Sequence, residues 1–174
     1  MKLNDLKESL TAKYLAIAVL PLLVLLYTPM SNYVVLHFGE KVLLETRPID
    51  PRDILRGDYV RLEYEIQDIP EEMIPEEFEY SNRDSDVVYI SLVRDREGIA
   101  SVLGVSMGRP SGGTYLKANL RPYWRNRADY NLGVYYVPEG TGRALEDAIR
   151  DNRVLADVRV LRGRGVIKKL EVVD

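Results

Sequence analysis

Carboxylates, tyrosines and arginines carry whatever chemistry this sequence offers, because 174 residues contain no cysteine and one histidine, His37. That composition excludes a disulfide framework, a cysteine nucleophile and a Cys/His zinc site. Asp58, Glu139 and Glu146 are the carboxylates that an extracytoplasmic hydrolase would use for acid/base work, with Tyr and Arg neighbours holding substrate. Nothing in the spacing fixes the separation of Glu139 and Glu146, however, and surface glutamates are far commoner than catalytic pairs. Asp50, Asp53 and Asp58 offer hard oxygens for Ca²⁺, but the DxDxDG-type spacing of a calcium loop is missing. Gly140-Thr141-Gly142-Arg143 opens a helical stretch without the lysine or the spacing of a phosphate loop, so it reads as a turn and an N-cap. No catalytic residue, metal site or cofactor is assigned, and a non-enzymatic role takes precedence over the hydrolase.

Tyr115, Tyr123, Trp124, Tyr130, Tyr135 and Tyr136 interleave with Arg121, Arg125 and Arg127, a pattern able to stack sugars or single strands. The chain's 24 basic and 27 acidic side chains are interspersed and sum to −3, which leaves no electrostatic footprint for nucleic acid. Sheet packing or a saccharide surface is the expectation for these aromatics, and nucleic acid is not an expected partner.

Short β-rich runs must position these groups. Lys41 to Arg47 is a first strand, and Asp58 to Ile66 sets Val60, Leu62, Tyr64 and Ile66 on an apolar face against Tyr59, Arg61, Glu63 and Glu65. Asp86 to Val93 and Ile99 to Met107 flank a polar loop, Arg94 to Gly98, as a hairpin, and Arg153 to Leu161 with Val166 to Val173 flank Arg162-Gly163-Arg164-Gly165 as a second. Arg143 to Arg150, capped by Thr141, is the one helix expected after the N-terminal segment. Pro70 to Glu77 is an acidic excursion, a solvated loop or a single helical turn.

The N-terminal segment has a different solvent. Tyr14 to Met30 is 17 residues without a formal charge, and the uncharged stretch continues toward Phe38. A helix of about 20 such residues crosses a hydrocarbon core roughly 30 Å thick. Pro21 is tolerated there with a kink. The run is longer than a signal-peptide core and ends in Thr28-Pro29-Met30-Ser31-Asn32 rather than a small-residue cleavage site, so an uncleaved anchor is expected. Lys2, Lys7 and Lys13 precede it and Lys41 follows, which puts the N-terminus in the cytoplasm. The expected organisation is a cytoplasmic segment 1–13, a transmembrane anchor 14–36 with the lipid bilayer as its partner, and an extracytoplasmic β domain 39–174.

One motif carries recognition. Gly57-Asp58-Tyr59, then Leu62 and Tyr64 at fixed spacing, resembles the pattern that names the GDYXXLXY family of membrane-anchored proteins. The likeness extends upstream through Asp50-Pro51-Arg52-Asp53 and Arg56, and downstream to Val137-Pro138-Glu139-Gly140 and Glu146. It implies an anchored extracytoplasmic domain with a multi-pass membrane protein as a possible partner, and it implies no activity. In physical terms the motif is a turn entering a strand: Gly57 supplies a positive φ and Asp58 accepts from nearby amides. Arg56-Gly57-Asp58 also spells an integrin-type tripeptide, with no other adhesive signature beside it. A Gly-Asp turn followed by a strand and hairpin also looks like the serine–lysine peptidases of the signal-peptidase type. Thr46 to Pro51 has no serine and Ile99 to Met107 no lysine, so that likeness argues for a β fold lacking the dyad, and against proteolysis. The expectation is a mainly β protein: one transmembrane helix, then an antiparallel β-rich domain with one short helix, acting as a binding or accessory module for an integral membrane partner.

Overall fold

The computed structural model describes residues 3–47, 59–75, 86–121, 126–138, 148–149 and 153–173. The chain divides into two units, Met1–Val34 and Val35–Asp174. Most of the first is helix α1, which spans Leu3–Phe38 and so ends within the second. Its segment Lys13–Phe38 is 26 residues and apolar enough to cross a membrane. At 1.5 Å per residue it reaches about 39 Å, more than a hydrocarbon core needs. Leu15, Leu20, Leu25 and Tyr27 are each exposed by more than half, so this stretch is apolar on all sides, while Val35 in the last turn is buried. The helix continues through Pro21 and Pro29. Each proline deprives a carbonyl one turn back of its donor. The Ser31 hydroxyl donates to Thr28 O at 2.8 Å beside the second.

The second unit is built from antiparallel strands. Strand β1 (Glu40–Arg47) lies between β9 (Arg153–Leu161) and the two-residue β3 (Glu63–Tyr64), with β10 (Arg164–Val173) outside β9. A second four-stranded sheet has the order β5 (Ala100–Ser106), β4 (Asp86–Arg94), β6 (Tyr115–Arg121), β7 (Arg127–Asp129). A ribbon pairs β2 (Tyr59–Arg61) with β8 (Val134–Tyr136). Inward positions of both large sheets fill one core: Val42, Leu44, Val154 and Val158 from the first, Val88, Ile90, Leu116 and Leu120 from the second. Two parallel bridges, Leu43 to Ile99 and Leu116 to Gly163, tie the sheets at their margins.

Both expected hairpins form. In the first, Asp95 Oδ1 accepts from the amides of Glu97 and Ile99, each at 2.9 Å, and Gly98 takes φ +84°. The second turns more tightly than the four-residue loop its sequence suggests: Arg162 and Gly163 alone make the turn, with φ 52° and 85°. Two successive positive values match the right-handed strand twist, and β10 therefore starts at Arg164.

Two differences from the sequence reading have physical causes. The run Asp58 to Ile66 is not one strand: β2 pairs with β8, β3 pairs with β1, and Glu65–Gln67 closes as a 3₁₀ turn. Its alternation nonetheless survives, because Val60, Leu62, Tyr64 and Ile66 all stay 4% exposed or less. The aromatic stretch supplies β6, β7 and β8, unassigned from sequence since their apolar positions are split by Lys117, Asn119 and Arg127. The acidic excursion forms a single helical turn, as expected, a 3₁₀ turn at Glu71–Met73; Met73 and Ile74 pack on the core while Glu71 and Glu72 face water. Of the expected helix Arg143 to Arg150, Ala148 and Ile149 are helical, with Ile149 buried; Thr141 and the remainder lie outside the described residues.

Candidate functional site

The motif changes sheets at Leu62. The ladder of β2 with β8 registers Tyr59 to Tyr136, Val60 to Tyr135 and Arg61 to Val134, and the Leu62 amide extends it by donating to Gly133 O at 3.0 Å. One residue later the chain pairs with β1, Glu63 to Arg47 and Tyr64 to Thr46. Leu62 thus sits where two sheets exchange a strand, and its side chain, 3% exposed, fills the core beneath the exchange.

Tyr64 is held at both ends. Its hydroxyl donates to Leu132 O at 2.9 Å and its amide donates to Gln67 Oε1 at 3.0 Å. Burial raises its phenol well above the ordinary tyrosine range, since the anion has no water to meet. Tyr130, 4% exposed, repeats the arrangement: its hydroxyl donates to Ile66 O at 2.6 Å and burial likewise pushes its phenol up. Both groups are neutral in the folded domain up to pH values at which an unfolded chain, with tyrosines near pH 10, loses its protons. Stability is therefore complete below about pH 10 and falls as pH rises above it. Urea midpoints from pH 8 to 11 should decline past pH 10, and Tyr130→Phe should shallow that decline; a flat profile would contradict the assignment.

Around this pair runs a polar frame. Arg47 donates to both carboxylate oxygens of Glu65, each at 2.7 Å, and pairs with Asp68. These bonds raise the Arg47 guanidinium and hold the Glu65 carboxyl below its usual range, Arg47's hydrogen bond being the main cause for Glu65. Arg127 pairs with Glu63 and reaches Gln67 Oε1 at 3.3 Å. Partly exposed pairs of this kind add about 1 kcal/mol or less each. Their effect is to fix the 3₁₀ turn against β1 and β7.

The opposite face of the ribbon is open. Tyr59 and Tyr136 meet edge to face, 6.4 Å between centroids at 60°. Tyr136 is 78% exposed, and Arg61 and Val134 beside it also face water. Of the residues singled out from sequence, Tyr59, Leu62 and Tyr64 are thus brought together, the last two in the core and the first on this face. Arg56, Gly57, Asp58, Glu139 and Glu146 lie outside the described residues, and the hydrolase reading depends on three of them. Tyr123 and Trp124 also lie outside them. Tyr115 in β6 and Tyr130 after β7 are buried, and Tyr135 in β8 packs against the core. Among the described residues no cluster of His, Asp or Glu is arranged for a metal ion. Sequence reasoning did not single out Gln67, or the carbonyls of Leu132 and Gly133 that receive the motif. Main-chain acceptors leave no signal in residue type, whereas Tyr136 was signalled by its place in the aromatic run.

No curated protein and no solved structure matches the chain. A family model described as GDYXXLXY protein matches residues 21–170, from within the apolar helix to β10. With Tyr59, Leu62 and Tyr64 joining the two sheets, and the match covering most of its length, the chain belongs to the GDYXXLXY protein family.

Proposed function

We propose that this is a single-pass membrane protein, N-terminus in the cytoplasm and β domain outside, whose domain is a non-enzymatic binding or accessory module for an integral membrane partner. The observation that carries the reading is the division of the motif: Leu62 and Tyr64 are consumed by the fold, while Tyr59 joins Tyr136, Arg61 and Val134 on an open ribbon. Aromatic and arginine side chains on a rigid, exposed strand pair suit recognition, since they bury much area at little entropic cost. The apolar segment Lys13–Phe38 supports the anchor, and Lys2, Lys7 and Lys13 support the orientation.

Two experiments test the two halves. Protease added outside intact cells should degrade the domain after Gly39 and spare the N-terminus; digestion only after lysis would reverse the orientation. For the module, Tyr136→Ala should leave the melting temperature within a few degrees of wild type, because a side chain this exposed contributes within about 0.5 kcal/mol. Purified from mild detergent, the same variant should lose an integral membrane protein that wild type retains. Retention of the same companion by Tyr59→Ala and Tyr136→Ala together would remove the ribbon from recognition.

A further inference from the structure

We propose that the end of the β domain adjoining Phe38 is a basic collar that docks on anionic lipid headgroups, an inference that rests on reading α1 as a membrane span. Within the unit Val35–Asp174 the last turn of α1 passes through Gly39 directly into β1. Gly39 lies hard against β9: a Cβ there would stand 3.0 Å from both Arg159 Cβ and Val160 N. Register then places Glu40 beside Val160 and Lys41 beside Arg159, two residues before the β9–β10 turn.

A chain of contacts gathers further cations at this end. Arg94 pairs with Glu40 and donates to Lys41 O at 3.1 Å, and the Thr114 hydroxyl also donates to Glu40. Tyr115, next in sequence, lies under the Gly163 turn, and the Lys117 amide donates to Gly163 O at 2.8 Å. The Arg109 guanidinium stands 5.8 Å over the Tyr115 ring. Arg162 and Arg164 flank Gly163. Lys41, Arg109, Lys117, Arg162 and Arg164 are exposed, and Arg94 is partly so. Two carboxylates among the described residues oppose these cations: the buried Asp157, 3.9 Å from the Lys41 ammonium and 3.5 Å from Arg159 Nε, and the exposed Glu40, engaged by Arg94 and Thr114. The chain as a whole carries −3, so this end is opposite in sign to the remainder.

Covalent continuity with Phe38 decides what that charge faces. If Lys13–Phe38 fills the hydrocarbon core, Gly39 and Lys41 emerge at headgroup level, and the cations joined to them by the contacts above share that end of the β domain. A basic rim at that depth is attracted by anionic headgroups and indifferent to zwitterionic ones. It would hold the domain in one attitude on the bilayer.

The test uses the full chain in lipid nanodiscs. Because the chain has no cysteine, Gly112→Cys gives a unique site for a fluorophore, and a Cβ there meets nothing within 4 Å. Gly112 lies in the loop between Arg109 and Thr114. A headgroup-attached quencher should dim this label at least about twofold more in discs with a third phosphatidylglycerol than in pure phosphatidylcholine. The difference should vanish near 1 M salt, where screening shortens to about 3 Å. It should also vanish in a triple variant, Arg109→Gln, Lys117→Gln and Arg162→Asn, asparagine being chosen because it accepts positive φ. The salt titration uses wild-type side chains at the collar, so the conclusion does not depend on the variant folding. Equal quenching in the two discs, with the chain embedded in both, overturns the collar and leaves the span intact. Failure to embed in either overturns both.

Discussion

Tyr64→Ala should destabilise the β domain by about 3–5 kcal/mol, the range for truncating a large aromatic side chain in a packed core. Tyr64 is 1% exposed and is the largest of the fully buried side chains among the described residues. Its removal opens a cavity at the strand exchange and leaves Leu132 O without its hydroxyl donor. Domains are commonly stable by only about 5–15 kcal/mol, so the variant should be partly or wholly unfolded at physiological temperature. Tyr64→Phe separates the two contributions. It keeps the ring and deletes only the bond to Leu132 O, which should cost about 1–2 kcal/mol. Urea unfolding of the full chain in mild detergent, followed by far-ultraviolet circular dichroism, measures both. If Tyr64→Ala unfolded at the wild-type midpoint, the second tyrosine of the motif would not be structural.

That expectation shows which part of the molecule is legible in its sequence. Alternation over Val60, Leu62, Tyr64 and Ile66 reports burial faithfully, because side-chain parity follows from the extended backbone whatever strand lies alongside. Partner choice is another matter. Nothing in the residue types of the run says that β2 bonds β8 while β3 bonds β1, since pairing is decided by chain segments 16 to 77 residues away in sequence. The same limit applies at β6. Leu116, Ala118 and Leu120 alternate with Lys117 and Asn119, but alanine and asparagine are poor strand formers, and it is pairing with β4 and β7 that makes the strand. Apolar length is the most local signal of all, and within the helix Leu3–Phe38 the segment Lys13–Phe38 is long and apolar enough to cross a membrane. The candidate site divides along the same line. Inward placement of Leu62 and Tyr64 follows from parity, whereas the meeting of Tyr59 with Tyr136 requires the ribbon register.

Gly163 should be the least replaceable of the described glycines at turns, for two separable reasons. Its φ of +85° lies in the region that β-carbons disfavour, and a Cβ built there stands 2.8 Å from the Tyr115 ring and 3.4 Å from the Lys117 amide nitrogen. Gly98 is the natural control: its φ is +84°, yet its nearest neighbour is Leu43 Cδ1 at 3.9 Å. Gly98→Ala should therefore cost only the backbone strain, about 1–2 kcal/mol. Gly163→Ala should add the displacement of a buried ring, a further 1–3 kcal/mol or so. The consequence reaches beyond the turn. The Lys117 amide donates to Gly163 O at 2.8 Å and Leu116 bridges Gly163, so a shifted Tyr115 pries apart one of the two bridges between the four-stranded sheets. The Arg109 guanidinium, seated on the same ring, would lose its place as well. Equal urea midpoints for Gly98→Ala and Gly163→Ala would show that Tyr115 moves aside freely. A clearly lower midpoint for Gly163→Ala would show that the sheets are joined through this contact.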